Sequence, residues 1–195
     1  MKLKIYRAIF IILLLVAIVI IALIATKQWK SMENERENQE VLETFSNVEI
    51  QDSKTVQLNG YDVIGIVSIP KINIQYPILA IETSNPEETK EPMRYGIVKY
   101  WGGNVNDYGN LSIAGHNNYN GTMFGKTKNL EIGDIVELTD LTKTTLQYAI
   151  YDIFVTDPND VSILATKDET IREVTLITCT NGNRERLILK AKQII

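Results

Sequence analysis

Two side chains stand out for their chemistry because each occurs once in the 195 residues: Cys179 and His116. A thiolate attacks carbonyl carbon, and an imidazole exchanges protons with a thiol and with a departing amine. Arg184 and Arg186 follow the cysteine closely. A nearby guanidinium favours thiolate and can stabilise an oxyanion as it develops. Taken singly, each residue has a plainer reading. A free cysteine is often a small buried hydrophobe, a lone histidine is more often a surface or satisfied residue, and an arginine at a strand edge is often only solvated. The case for chemistry depends on whether the chain brings them together.

The elements that would do so are legible. Val174-Thr175-Leu176-Ile177-Thr178 is β-branched or apolar throughout and predicts a buried strand, with Cys179 at its end. Asn181-Gly182 follows, a pair that tolerates positive φ and signals a hairpin. From Arg186 a second strand begins. Its alternation places Leu187, Leu189 and Ala191 on one face and Arg186, Ile188 and Lys190 on the other. A two-residue turn at Asn181-Gly182 would set Cys179 opposite Arg184, whereas a wider loop shifts the pairing. Upstream, Leu111-Ser112-Ile113-Ala114 predicts a strand running into Gly115-His116-Asn117-Asn118, a polar turn. Thiol and imidazole therefore each close a predicted strand.

Composition excludes several classes. The net charge is −4 and no basic, aromatic-interleaved stripe occurs, so nucleic-acid binding has no support. One cysteine forbids an internal disulfide, and one histidine excludes a multi-histidine metal site. Residues 8–25 form an apolar run long enough to span a bilayer, preceded by Lys2, Lys4 and Arg7. That basic flank favours a cytoplasmic N-terminus. No Ala-x-Ala site follows the run, so an uncleaved anchor is expected rather than a signal peptide. Residues 31–45 are Glu- and Asn-rich and fit either a helical stalk or a solvated linker. Beyond Asn59-Gly60 the chain reads as many short strands: 63–69 ending at Pro70, 72–76 confined by Pro77 to an edge or strand end, then 135–138 and 145–155 as a hairpin. Residues 83–92 read as a loop, and 161–164 and 169–173 as possible sites of a helical turn. This pattern predicts an all-β barrel or sandwich.

These residues resemble a known family. Thr175-Leu176-Ile177-Thr178-Cys179-Thr180 closed by Arg186-Leu187-Ile188-Leu189 resembles the Cys–Arg motif of sortases, the membrane-anchored transpeptidases of Gram-positive bacteria. Ser112-Ile113-Ala114-Gly115-His116-Asn117 is similar to their histidine motif. Val63-Ile64-Gly65-Ile66 with Ile69-Pro70-Lys71-Ile72 resembles the first strands, Phe124-Gly125 and Gly133-Asp134 the segment after the histidine, and Asp157-Pro158 the approach to the cysteine. The resemblance implies an eight-stranded β-barrel with short helices, its cleft on one barrel wall, behind an N-terminal transmembrane helix. It implies residues 1–7 in the cytoplasm, 8–25 as the anchor, 26–58 as a polar stalk and 59–195 as an extracellular catalytic domain. Cys179 would attack the Thr–Gly bond of a Leu-Pro-x-Thr-Gly-like sorting signal on a surface protein. An amine of a cell-wall precursor or of peptidoglycan would then resolve the thioacyl enzyme. His116 would move the protons, Thr178 would help line the pocket, and no metal or cofactor is required. The family places its arginine immediately before the apolar run, which selects Arg186 over Arg184. A preorganised strand position also suits an oxyanion donor better than a mobile turn.

Neither an aromatic lid before the barrel nor a second membrane helix is visible, so the chain resembles the single-anchor types rather than the pilin polymerases. Two other readings stay open on residues alone. One is an anchored, non-catalytic surface domain that binds a peptide or wall fragment. The other is a cysteine peptidase that hydrolyses its substrate.

Overall fold

The computed structural model describes residues 2–47, 56–81, 88–166 and 168–194. The N-terminal apolar run belongs to a single helix, α1 (Lys2–Asn47). At 1.5 Å rise per residue this helix is about 69 Å long. The Glu- and Asn-rich stretch is therefore helical through Asn47, and residues 48–55 of the stalk lie outside the described residues. The chain divides into two compact units, Met1–Gln39 and Glu40–Ile195. In the first, the side chains of residues 5–24 are exposed, and the helix is long and apolar enough to cross a membrane.

The second unit is built on strands β1 (Gln57–Leu58), β2 (Tyr61–Ile69), β3 (Ile74–Leu79), β4 (Ile97–Trp101), β5 (Gly109–Ala114), β6 (Ile135–Asp140), β7 (Thr145–Thr156), β8 (Arg172–Thr180) and β9 (Glu185–Gln193). Their order in the sheet is β1-β2-β3-β4-β5-β8-β9-β7-β6. An additional β2–β6 pairing closes β2 through β9 into an eight-stranded barrel. Most of the ladders are antiparallel, but β5 and β8 run parallel, joining segments far apart in sequence. Asn59 and Gly60, both at positive φ, make the tight turn that folds β1 back on β2.

Alternation along the strands creates two apolar clusters. Leu111, Ile113, Val174, Leu176, Leu189 and Ala191 belong to the larger one, which fills the barrel. Ala114, Ile177 and Ile188 belong to a second cluster on the outer face, shared with Leu42 and Phe45 from the last turns of α1. The sequence-based division of β9 into two faces is the division observed.

Three local expectations change. Pro77 lies inside β3, not at an edge or end. It pairs with Ile66 of β2, while the β4 ladder begins only at Ile78, so the residue lacking an N–H sits where β3 is bonded on one side. Residues 169–171 form no helical turn, and Arg172 and Glu173 already belong to β8, with Glu173 paired to Lys192. Of the 83–92 loop, residues 83–87 lie outside the described residues; Pro92–Arg94 is a turn of 310 helix.

Candidate active site

The ladders set the site. On the outer face Ala114 of β5, Ile177 of β8, Ile188 of β9 and Phe154 of β7 are successive cross-strand partners, forming one apolar row across four strands. One step further along lies a polar row. Cys179 is paired with Arg186, and Arg186 with Thr156. Paired residues on one face of a sheet have Cβ atoms roughly 5 Å apart, so thiol and guanidinium stem are immediate neighbours. His116 lies two residues beyond Ala114, as Cys179 lies two beyond Ile177, and β5 and β8 are parallel. Thiol and guanidinium therefore come from adjacent strands at one level of the barrel, and the imidazole from the segment that directly follows β5.

This pairing decides between the two hairpin geometries. Thr180 pairs with Glu185, leaving a four-residue loop, Asn181–Arg184. Asn181, Gly182 and Asn183 all adopt positive φ. The loop is wider than a two-residue turn, and it is Arg186, not Arg184, that faces Cys179. Arg186 Nη1 donates to the carbonyls of Asn183 and Glu185, both at 3.2 Å, which braces the side chain against its own loop. Arg184 is exposed in that loop.

The histidine segment is fixed from several sides. Gly115 N–H donates to Ile177 O at 3.1 Å, extending the parallel ladder past Ala114. A Cβ on Gly115 would lie 2.4 Å from Ile97 Cδ1 and 3.0 Å from Phe124, so any side chain there requires the buried Ile97 to repack. Thr178 is buried and lies on the strand face opposite Cys179, with Val174 and Leu176. Its Oγ1 donates to Gly115 O at 2.8 Å. That geometry ties the histidine strand to the cysteine strand rather than lining the thiol's face. Asn117 Nδ2 donates to Cys179 O at 2.8 Å. The sequence signalled neither contact, because both depend on the β5–β8 register.

The outer wall beside the apolar row is also anchored. Asn110 Nδ2 donates to Ile163 O at 3.3 Å and Leu164 O at 3.2 Å, and Thr175 Oγ1 donates to Asn110 Oδ1 at 2.8 Å. These buried bonds hold the 310 turn Ser162–Leu164 down on the sheet. Burial, and secondarily the positive charge of Arg94, depress the His116 pKa below the ordinary histidine value. Both effects favour the neutral imidazole. Cys179 is a free, half-buried thiol. Among the described residues no group of three His, Cys, Asp or Glu could hold a metal ion. A thiol paired across the strands with a guanidinium, with an imidazole on the segment after the neighbouring strand, is a set of groups suited to acyl transfer.

Comparison with known proteins points the same way. The family model described as Sortase domain matches residues 67–194. The chain is 26% identical over 144 residues to Sortase A of Bacillus anthracis, covering 72% of this chain and 64% of that protein. It is 30% identical over 115 residues to Sortase D of Bacillus subtilis (strain 168), covering 59% and 53%. The matched segment spans less than two thirds of either relative. Among solved structures, a Clostridium perfringens Sortase D5 transpeptidase aligns with TM-score 0.64 at 29% identity, over 83% of this chain and 98% of that one.

Proposed function

The chain belongs to the sortase family, and on that premise we propose that it is a membrane-anchored cysteine transpeptidase. The observation that carries the reading is the cross-strand pairing of Cys179 with Arg186, with His116 on the segment two residues past Ala114, the β5 partner of Ile177. Cys179 attacks the carbonyl carbon of the Thr–Gly bond in a Leu-Pro-x-Thr-Gly-like signal, and its proton passes to His116. Negative charge develops on the carbonyl oxygen, where Arg186 meets it. The intermediate collapses as the C–N bond breaks and His116 protonates the departing glycine amine. The thioacyl enzyme remains. An amine acceptor of the cell wall then attacks, His116 takes its proton, and the thiol is released as the new amide forms. The apolar row Ala114–Ile177–Ile188 beside this centre is buried in the outer cluster, so it supports the site from below rather than contacting substrate.

The anchor suits a substrate that is itself held at the membrane. Lys2, Lys4 and Arg7 hold the N-terminus in the cytoplasm, which places the barrel outside. Protease added to intact protoplasts degrades the barrel under this topology; full protection would reverse it. The reaction itself is tested with a quenched Leu-Pro-x-Thr-Gly peptide, with and without an amine acceptor. Cleavage with a transfer product supports transpeptidation. Cleavage with only hydrolysis, at saturating amine, makes the protein a peptidase. Binding without cleavage makes it a surface-binding domain.

The depressed His116 pKa has a kinetic consequence. Neutral imidazole is the form that accepts the thiol proton, so protonation at low pH shuts the reaction down. Because the folded pKa lies below the ordinary value of about 6.5, the acid limb of kcat/KM is expected below about pH 6.5. The apparent value belongs to the thiol–imidazole pair. Arg94→Gln removes the cation that helps depress it, so the limb is expected to move upward. A limb that stays fixed or moves downward would remove Arg94 from the site's electrostatics.

A further inference from the structure

The β5–β8 ladder changes character at the site. Gly115 N–H bonds Ile177 O, and the next rung of a regular parallel ladder would run from the backbone N–H of residue 117 to Cys179 O. That carbonyl is instead bonded by the side-chain amide of Asn117, at 2.8 Å. The backbone of Asn117 has turned toward the following segment, where it forms a bridge with Met123, and Phe124 N–H donates to His116 O at 3.0 Å. His116 therefore sits between two residues that are each tied to the nucleophile strand. Gly115 is held by Thr178 Oγ1, and Asn117 holds Cys179 O. The two ties differ in environment. The Thr178 bond is buried, whereas the Asn117 bond is exposed and made by a side chain with two rotatable torsions.

We propose that Asn117 is a positioning residue for the transfer reaction: its amide clamps the Cys179 carbonyl and so holds the His116 imidazole at the level of the thiol. The backbone leaves the ladder at the imidazole, and without a substitute rung the segment from His116 to Thr122 would lose the Asn117 bond to the cysteine residue. A shift of about 1 Å between nucleophile and proton carrier is enough to cost a large factor in rate. Thr178 cannot compensate, because its bond lies before the histidine in the chain, and the bonds after it, from Phe124 N–H to His116 O and between Asn117 and Met123, tie that side to its own loop rather than to the cysteine strand.

This inference rests on the transpeptidase reading, and the test separates the two. The full chain in detergent is alkylated at Cys179 with iodoacetamide across a range of pH, and turnover of the Leu-Pro-x-Thr-Gly peptide is measured in parallel. Asn117→Ala is expected to lower kcat for acylation roughly tenfold to thirtyfold with KM within about twofold. Its alkylation profile should move toward that of His116→Ala. Asn117→Gln, which keeps the amide on a longer arm, should recover part of the loss. If Asn117→Ala fails to fold, Asn117→Ser carries the same comparison. A variant with wild-type kcat and an unmoved alkylation profile overturns the positioning role. So does a raised KM at unchanged kcat, which would mean that Asn117 binds substrate. If the wild-type profile already matches that of His116→Ala, the thiol–imidazole pair itself is refuted, and the clamp with it.

Discussion

Cys179→Ala is expected to leave the barrel folded and to lower both cleavage and transfer by roughly 10⁴-fold or more. The thiol is the only one in the chain, so no neighbour can replace it. Its loss removes one atom from a half-buried position at the end of β8, where neither apolar cluster depends on it. The stability change should therefore stay within about 1 kcal/mol, and the near-ultraviolet circular dichroism should match the parent. His116→Ala should fall as far, because no second imidazole exists to carry the proton. The double variant should be scarcely worse than either single one, since residues that act as one unit are not additive. Measurable turnover of the sorting-signal peptide by either single variant would end that residue's assignment. Additive losses would mean that the two do not act together.

What the sequence revealed depended on how local each feature is. β8 and β9 were legible because β-branched runs and alternation are properties of neighbouring residues, and the two faces of β9 emerged correctly from spacing alone. Strand number and turn signals narrowed the fold to a barrel or a sandwich, and the resemblance to sortases selected the barrel. The placement of the histidine segment next to the cysteine strand had no local signal. It arises from a parallel pairing between β5 and β8, strands with no hairpin between them, and only the complete ladder supplies its register. The roles of Thr178 and Asn117 were hidden for the same reason, since each bonds across that ladder. Arg94 gave no sign either, because its proximity to His116 comes from the turn that precedes β4. Pro77 shows the opposite failure. A sound local rule placed it at an edge or a strand end, whereas the ladder provides an edge-like stretch, bonded on one side, within an interior strand. The helical stalk was left open because Glu- and Asn-rich composition fits both helix and linker, and continuity with the apolar helix tips the balance.

The register also carries the second large effect. Arg186→Ala is expected to lower kcat at least about a hundredfold, whereas Arg184→Ala should cost no more than about tenfold. Both residues have the same strand parity, so alternation alone cannot separate them. A tight Asn181-Gly182 turn would have chosen Arg184. The observed loop keeps Asn181, Gly182 and Asn183 at positive φ and pairs Thr180 with Glu185, which moves the residue opposite Cys179 from 184 to 186. Arg186 is then held twice over, by its place in β9 between β8 and β7 and by the bonds from Nη1 to its own loop. An oxyanion donor works by being in place before charge develops, and that bracing leaves little to reorganise. Arg184, exposed in the loop, would have to be ordered at each turnover, at an entropic cost of about 2 kcal/mol. Arg186→Lys should recover little, because an ammonium cannot reproduce the planar fork of the guanidinium. Single-turnover acylation of the three variants gives the answer directly. If Arg184→Ala proves the more damaging, the cross-strand partner of the nucleophile is not the oxyanion donor, and the loop must close over the substrate to bring Arg184 in.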